Sequence, residues 1–517
     1  MNAWRIASEK PLGVYLQNRH RRLWRLKRAA AWVALTVTAF FYGLIFAFFP
    51  PQIYTLLAVP LVVGYCFVLW ALPDSQQSLP PVVRKLFVGY LISLFLWPSY
   101  LAIAIPVIPW ITSQRLFLIP LGLIFLYNLA TSPALRSHLN TTLWTSKTVW
   151  VLMIAFIAVQ ILTTPFSTDL SATINRMIID QLAWTVVFCV SCIIFQDKRV
   201  LNTWFTVLMI SLAVVVLEAA LEFRLQRLPW QGHIPGFLKA DPGYLEADLR
   251  TATGWYRLKG MTVHPLVLAE LMATSAPFVA HAIVTVKHFS MKIAACVLLL
   301  GMFLVIIGTD SRLGVLGFFV SLLIYGGLWS VRRWRHRSRD ILGPALIAGY
   351  VLGAFAFFAL ALTWNRLHKM IFGGGAQQAS DAARHAQWQA LWPKLAQWPL
   401  GHGPGNSGSV LGYVNSGGVA TVDSYVISVL LDYGVIGFVA FYGMFIVAVV
   451  QSGKLAIENP DDRASMLMPI AATFFSFMVI KTVLSQEQNH SFIFMLLGMF
   501  VALRYSIVHD AAAKPLR

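Results

Sequence analysis

Arginines beside long apolar runs are the residues of this sequence best suited to chemistry. Arg312 follows the polar segment GTDS and begins an apolar run. A guanidinium at a helix N-terminus adds its charge to the free backbone N–H groups and the positive end of the helix dipole, and this combination suits a phosphate group. The alternative is an arginine that reaches the membrane interface or pairs with Asp310.

Two further cationic segments lie close to apolar runs. Arg257 begins the pattern R-x-x-G-x-x-x-H-P, which ends at Pro265, and Lys259 adds a second cation within it. Arg176 lies in the segment TPFSTDLSATINRMIID, at 164–180. These cations suit an anionic ligand. The alternative is a solvated loop beside the start of a helix.

Arg384 begins the segment RHAQWQALWPKLAQWPLGHGPGN. Apolar residues recur in it with helical spacing, which predicts a short amphipathic helix at 381–397 that lies along the membrane surface. Its tryptophans are interpreted as interfacial anchors, with stacking on sugars as the alternative. The Gly-rich run 401–406, which includes His402, is expected to let the backbone approach a ligand closely. It lacks the preceding strand and the Lys-Ser/Thr ending of a phosphate loop.

Three acidic or imidazole side chains are candidates for proton transfer. Asp423 directly precedes an apolar run and suits a general base if desolvation raises its pKa, although Asp is also a favoured helix cap. Glu487 and His490 are three positions apart, so a helix would place them on one face. A metal pair there lacks further ligands in the sequence, and no metal site is predicted. Asp432, inside an apolar run, is expected to face the bundle or a cavity.

The elements that hold these residues are apolar. The chain has 517 residues, of which 58% are hydrophobic and 12% are charged. Its apolar runs of roughly 18 to 25 residues are long enough to cross a bilayer as helices. The sequence therefore predicts an all-α, polytopic integral membrane protein with about 14 transmembrane helices. The predicted spans are 29–48, 52–72, 86–107, 115–131, 148–165, 181–196, 201–221, 265–285, 290–308, 312–331, 341–364, 424–450, 466–485 and 489–507.

The net charge of +19 is interpreted as a topology signal. Lys and Arg concentrate in alternate loops, which the positive-inside rule assigns to the cytoplasm together with both termini. The arginines described above then lie on the opposite face. A nucleic-acid partner is not needed to explain the charge. The four cysteines lie inside apolar runs and are interpreted as small buried residues, without a disulfide framework.

The predicted organisation follows from these spans. A basic cytoplasmic N-terminus at 1–28 precedes helices 1–7 at 29–221, and an outward loop at 222–264 precedes helices 8–11 at 265–364. A large outward loop at 365–423 contains the short amphipathic helix. Helices 12–14 follow at 424–507, and a cytoplasmic tail occupies 508–517. A loop as long as 365–423 between spans is typical of a functional segment.

Four pieces of the sequence together carry a resemblance. They are R-x-x-G-x-x-x-x-P (257–265), T-D-S-R-L-G (309–314), R-x-x-x-W followed by P-L-G-H-G-P-G (384–405), and V-D-S-Y-V-I-S-V-L-L-D-Y-G-V-I-G (422–437). In this order, on a polytopic chain with a large late outward loop, they resemble the O-antigen ligase and polymerase superfamily. That superfamily includes bacterial exopolysaccharide polymerases. The resemblance extends over residues 145–505.

The resemblance implies a GT-C-like glycosyltransferase of the bacterial inner membrane. Its donor would be a glycan on undecaprenyl diphosphate, used at the periplasmic face in a metal-independent, inverting displacement without a cofactor. Arg257, Arg312 and Arg384 would hold the diphosphate, and Lys259, Arg176 and His402 are further candidates for substrate binding. Expected partners are the bilayer, the lipid-linked donor and acceptor, and flippase, chain-length or export proteins. No nucleic acid is expected.

One departure from the family pattern bears on the reaction. Ligases, which transfer the glycan to lipid A-core, often carry His just before the span that here begins at Ser424. This chain has Asp423, which favours a polymerase that uses a lipid-linked repeat unit as acceptor. Asp423 is the first candidate for the base, followed by Glu487, His402 and His490. The alternative from another class is a flippase, but such transporters usually show two similar halves, and no convincing repeat is found here.

Overall fold

The fold is known from a computed structural model, which describes residues 26–41, 43–44, 63–68, 74, 79–104, 110–249, 254–337, 341–363, 378–414 and 418–513. Most of these residues are helical. The labelled helices are α1 (Pro81–Leu96), α2 (Ser113–Thr131), α3 (Pro133–Thr145), α4 (Lys147–Thr163), α5 (Leu170–Ile194, with a π-helical stretch at Gln181–Val186), α6 (Lys198–Leu225), α7 (Pro242–Leu245), α8 (Pro265–Thr285), α9 (Phe289–Gly308), α10 (Arg312–His336), α11 (Leu342–Thr363), α12 (Gln378–Gln397), α13 (Ser407–Leu411), α14 (Tyr425–Glu458), α15 (Asp462–Ser465), α16 (Leu467–Lys481) and α17 (His490–Ala513).

Within the described residues, ten helices are long and apolar enough to cross a membrane. They are α2, α4, α5, α6, α8, α9, α10, α14, α16 (continuous with α15) and α17. The protein is therefore a mostly helical, multi-pass membrane protein, as predicted. The predicted span 29–48 is helical over its described residues, 29–41 and 43–44, whereas the span 52–72 lies largely outside the described residues. The expected number of about 14 therefore remains a prediction.

Two predicted spans have different bounds in the structure. The span 86–107 is wrong in its second half, because α1 ends at Leu96 and Trp97 is extended (φ −117°, ψ 131°). Pro98 follows, and a proline disfavours the helical conformation of the residue before it. The polar segment that precedes the predicted span 181–196 is helical from Leu170, where the Asp169 carboxylate accepts a hydrogen bond from the third residue of the helix.

A small antiparallel sheet is an exception to the predicted all-α fold. Strand β1 (Ala102–Ile103) lies between β2 (Ile111–Thr112) and β3 (Leu238–Lys239). Ala102 pairs with both neighbouring strands. The sheet thereby joins the segment after α1 to the long loop between α6 and α8.

Two charged residues inside the bundle form an ion pair. The Lys481 Nζ atom lies 2.9 Å from Glu270 Oε1, and both side chains are fully buried. Asn489 donates a hydrogen bond of 2.9 Å to the other oxygen of Glu270. Charges at this depth are costly unless they have a partner, so this group joins α8, α16 and the turn before α17.

Hydrogen bonds and ion pairs between loops indicate which loops lie at the same end of the bundle. At one end, the loop between α6 and α8 contacts the end of α9 through Leu258 N and Gly308 O, at 3.0 Å. The same loop contacts the turn before α17 through Val263 N and Gln488 Oε1, at 3.2 Å. We call this end of the bundle the loop end. The opposite end carries the pairs Arg84–Asp197, Arg332–Asn459 and Arg463–Asp510.

Candidate active site

A cavity of about 620 Å³ opens at the loop end. Its walls come from the first half of α5, the loop before α13, the start of α14 and the turn between α16 and α17. Four charged residues line it: Arg176, Asp180, Asp432 and Glu487. We call it the polar cavity. It combines one cation, which is the type of group that contacts an anion, with three carboxylates, which are the type of group that accepts or donates a proton.

Arg176 is the cation of this cavity. Its guanidinium forms an ion pair with Glu487, and its Nε atom lies 3.9 Å from Asp180 Oδ2. The Arg176 side chain is 41% exposed, whereas that of Asp180 is 8% exposed. The two predicted residues Arg176 and Glu487 are therefore brought together, although they are more than 300 positions apart in the chain. Asp180 was not predicted, and the signal that could have found it is its i, i+4 spacing from Arg176 on one helix face.

Asp432 lies beside a break in α14. Gly434 has φ 67° and ψ −171°, which interrupts the helix, and Asp432 is only 4% exposed. Its carboxylate accepts hydrogen bonds from Gly405 N at 3.0 Å and from Ser407 N at 2.6 Å. The expectation that this acid faces the bundle or a cavity is met in the structure, but its partners are backbone N–H groups of a distant loop.

The glycine-rich run packs against this break. His402 N and Gly403 N donate to carbonyl oxygens of α14, each at 2.9 Å, and these bonds satisfy groups that the break leaves free. A Cβ atom on Gly401 would lie 2.6 Å from the Asp432 carbonyl oxygen. These glycines therefore allow two protein segments to approach, where the sequence predicted approach to a ligand. The His402 Nδ1 atom lies 3.1 Å from the Leu431 carbonyl oxygen.

Asn406 connects the same loop to the start of α5 and the segment before it, and sequence reasoning missed it. Its Nδ2 group donates to Ser167 Oγ at 3.0 Å and to Thr173 Oγ1 at 3.1 Å. Its Oδ1 atom accepts from Thr168 Oγ1 at 3.0 Å. The loop is thus held on one side by Asp432 and on the other by Asn406. No sequence signal marks an asparagine that bonds to residues more than 230 positions away.

Arg257 and the start of α10 are neighbours at the loop end. Arg257 Nε donates to the Thr309 carbonyl oxygen at 3.0 Å, and its Nη1 atom lies 3.5 Å from Asp248 Oδ1. Arg312 is the first residue of α10, and the Ser311 hydroxyl caps that helix through a hydrogen bond of 3.0 Å. The structure therefore brings the predicted residues Arg257 and Arg312 to one place.

Lys259 and His264 hold the neighbouring loop. Lys259 is 3% exposed, its Nζ donates to the Glu246 carbonyl oxygen at 2.6 Å, and burial lowers its pKa. The His264 Nδ1 atom accepts from Leu266 N at 3.2 Å and so caps α8. Burial first, and then the charge of Arg257, lower the pKa of His264 to about 4. The imidazole is therefore neutral at pH 7.

Arg384 and Asp423 belong to a third group. The predicted segment 381–397 is helical within α12, where Leu391 is fully buried and Arg384 is partly buried. Its position along the membrane surface stays a prediction. Gln387, one turn after Arg384, accepts a hydrogen bond of 2.9 Å from the Asp423 backbone N–H. The N-cap of α14 is Ser424, so the alternative that Asp423 caps this helix is not supported. Among the described residues that line the polar cavity, Val422 is present and Asp423 is not.

Glu487 and His490 have different surroundings, although the sequence placed them on one face. Glu487 lines the polar cavity. His490 is fully buried, with its ring centroid 4.7 Å from that of Tyr425 and 5.4 Å from that of Phe477. Its ring nitrogens have no hydrogen-bond partner in the described part of the chain. No three His, Cys, Asp or Glu side chains are grouped there as metal ligands.

The polar cavity lies between the two other groups. Gln488 lines it and also bonds to the backbone of Val263, which precedes His264. On the other side, Val422 lines it and precedes Asp423. The structure thus gathers the residues predicted from four separate motifs around one end of the bundle, with Arg176 and Glu487 at the centre.

Comparison with known proteins bears on the family of the chain. A family model described as O-antigen ligase matches residues 296–442, which include Arg312, Arg384, Asp423 and Asp432. The match covers less than a third of the 517 residues. No curated protein matches the chain. The family match nevertheless confirms the resemblance that the motifs indicated: this multi-pass membrane protein is similar to the O-antigen ligase and polymerase superfamily.

Proposed function

We propose that the protein is a polysaccharide polymerase that transfers a glycan from undecaprenyl diphosphate to a second lipid-linked repeat unit. The observation that carries the proposal is the polar cavity, in which Arg176 and Glu487 meet beside the Arg257–Arg312 group. A lipid-linked donor needs a polytopic enzyme, and its diphosphate needs cations at the membrane interface. The chain has the membrane-spanning helices, and Arg176, Arg257 and Arg312 supply cations at the loop end.

The acceptor hydroxyl attacks the anomeric carbon of the donor glycan and forms a new C–O bond. The bond from that carbon to the diphosphate breaks, and the diphosphate leaves with the electron pair. Arginine charges stabilise this developing charge in place of a metal. Because the hydroxyl attacks in a single displacement from the face opposite the diphosphate, the proposed step inverts the anomeric centre. The proton of the hydroxyl passes to a carboxylate.

Glu487 is the favoured base among the predicted candidates. It lines the polar cavity, whereas Asp423 lies outside the described lining and His490 is enclosed by aromatic rings. In the structure Glu487 is paired with Arg176. Diphosphate oxygens compete for the same guanidinium, and their binding would leave the carboxylate able to accept a proton.

The sidedness of the reaction is part of the proposal. The opposite end of the bundle carries Arg84, Arg332 and Arg463, and the positive-inside rule assigns such an end to the cytoplasm. The loop end is then periplasmic, in the inner membrane of a bacterium, and it carries the predicted loops 222–264 and 365–423. Flippase and chain-length or export proteins remain expected partners.

An O-antigen ligase is the second candidate, favoured by the description of the matched family. One experiment separates the two reactions: the purified protein in vesicles receives lipid-linked repeat units alone, or repeat units together with lipid A-core. A ladder of products from repeat units alone supports the polymerase. Transfer only when lipid A-core is added would overturn the polymerase in favour of the ligase.

Variants of the polar cavity test the site in the same assay. Arg176→Ala and Glu487→Gln are expected to lower the transfer rate by about 100-fold or more, as removal of one transition-state contact does elsewhere. Arg224→Ala is the matched control, because Arg224 is an exposed cation near the same end of the bundle. Wild-type turnover in Arg176→Ala, with normal insertion, would contradict the assignment.

A further inference from the structure

A second cavity, of about 460 Å³, lies beside α1 and α2 and is almost entirely apolar. The end of α1 forms a wall with Ile92 and Leu96, together with Trp97 just after the helix, and the start of α2 forms the opposite wall with Leu116 and Phe117. The small sheet and the residues beside its strands close it, through Leu101, Ile103, Ile111, Thr112, Phe237 and Leu238. We call it the apolar cavity. Its volume is typical of sites for small molecules.

The walls of the apolar cavity are not covered by other protein segments that the structure describes. Leu116 is 55% exposed, Ile92 is 41% exposed, and Phe237 is 68% exposed. Phe237 lies outside the membrane-spanning helices, just before β3, so its exposure is not explained by a lipid-facing helix surface. Apolar surface of this kind indicates a binding partner with an apolar body.

The apolar cavity adjoins the polar cavity at two places. Ser113 lines the apolar cavity, and the next residue, Gln114, lines the polar cavity. Ser99 follows Trp97 by two positions, and its Oγ accepts a hydrogen bond of 2.9 Å from Gln488, which lines the polar cavity. A single amphiphile can therefore have its charged head beside Arg176 and its tail in the apolar cavity.

We propose that the apolar cavity binds the isoprenoid units nearest to the diphosphate of a polyprenyl-linked substrate. The identity of this ligand rests on the proposed function. A prenyl tail is already dissolved in hydrocarbon when it meets the protein, so the cavity gains little from the hydrophobic effect. Recognition comes from packing against Ile92, Leu116 and Phe117, which distinguishes a branched, unsaturated tail from the acyl chains of the bilayer.

The test is a binding measurement in nanodiscs of ordinary phospholipid. The probe is a polyprenyl diphosphate with a diazirine in the units closest to the diphosphate, and cross-linked peptides are identified by mass spectrometry. Leu116→Trp fills the cavity and is expected to lower labelling of peptides from α1 and α2 by roughly tenfold, since overpacking opposes the occupant. Ile92→Trp, from the opposite wall, gives a second measurement if the first variant does not fold.

The matched control is Leu123→Trp. Leu123 is on the same face of α2, about two turns further along, is 46% exposed, and does not line the cavity. It should label as the wild type does. Unlabelled polyprenyl diphosphate should compete with the probe, whereas added phospholipid should not.

Two results would overturn the inference. One is labelling around Leu123 equal to that around Leu116, and the other is labelling that added phospholipid displaces, because both indicate ordinary bilayer lipid. The ladder assay on the same preparation distinguishes this failure from a failure of the proposed function. Ladder formation without labelling of the apolar cavity would contradict only the inference about this cavity. Specific labelling without transfer to any acceptor would contradict only the proposed polymerase activity.

Discussion

Removal of the Asp432 carboxylate is expected to release the segment 399–407 from α14. The carboxylate accepts two backbone hydrogen bonds, from Gly405 at 3.0 Å and from Ser407 at 2.6 Å, in a site that is 4% exposed. A bond of this kind contributes about 1–3 kcal/mol. Asp432→Ala removes both and should lower the free energy of opening this segment by about 2–6 kcal/mol. Asp432→Asn keeps one acceptor and should lower it by about half as much.

Hydrogen–deuterium exchange of the detergent-solubilised protein measures this opening. Peptides that cover 399–407 should exchange roughly 10- to 100-fold faster in Asp432→Asn, since about 1.4 kcal/mol corresponds to tenfold, and faster still in Asp432→Ala. Peptides from the second half of α14 should be unchanged. Asp423→Asn is the matched control, because the described contacts of Asp423 are with α12 and not with this segment.

Transfer activity should be lower in Asp432→Asn than in the wild type, and lower still in Asp432→Ala. Gly405 and Ser407 line the polar cavity beside Arg176, so a loosened segment displaces part of its wall. Exchange at 399–407 that is identical in the wild type and both Asp432 variants would refute the reasoning. It would mean that the carboxylate contributes little to holding the segment.

Three further outcomes follow from other parts of the structure. Gly434→Ala should lower stability by at least about 2 kcal/mol in thermal unfolding, because φ is 67° and a Cβ atom would lie 2.2 Å from a carbonyl oxygen. Gly453→Ala, in the helical part of α14 with its nearest neighbour at 3.4 Å, should be tolerated, and equal losses would contradict the account. Lys481→Met should cost about 3–5 kcal/mol by leaving Glu270 without its buried partner, and Glu270→Gln in the same chain should restore part of that loss in the same unfolding assay. Between pH 6.5 and about 4, His264 is protonated in the unfolded chain but stays neutral in the folded protein. The free energy of unfolding should therefore fall on acidification by up to about 3 kcal/mol. His264→Asn keeps a cap without titrating, and a melting temperature with the same pH dependence in both proteins would refute this.

Much of the fold could be predicted because a helix that spans a membrane requires a long run of apolar residues. The predicted spans 265–285 and 290–308 match α8 and α9 closely, since a run of apolar residues between polar ends is sufficient to place a spanning helix. The helix α12 was also predicted, from apolar residues at helical spacing. The polar residues of the segment 170–180 indicate a connection between spans, but the segment is helical, and Arg176 and Asp180 line the polar cavity.

The break in α14 could not be predicted from local pattern. Apart from Asp432, the residues on both sides of Gly434 are apolar, and a glycine inside a spanning helix is common. The unwound backbone is possible because the segment 399–407 supplies hydrogen bonds to it, for example from His402 N to the Leu431 carbonyl oxygen. Such compensation by a distant segment has no signature in the residues around Gly434 themselves.

The sequence by itself determined that this chain is a multi-pass membrane protein with a superfamily resemblance, and it placed several cations beside the ends of apolar runs. Only the tertiary structure decided which titratable side chains share a cavity. Glu487 and His490 are equivalent candidates in the sequence, yet one faces Arg176 and the other is enclosed by Tyr425 and Phe477. The physical reason is that the surroundings of a side chain depend on helices packed from distant parts of the chain, which no local spacing specifies.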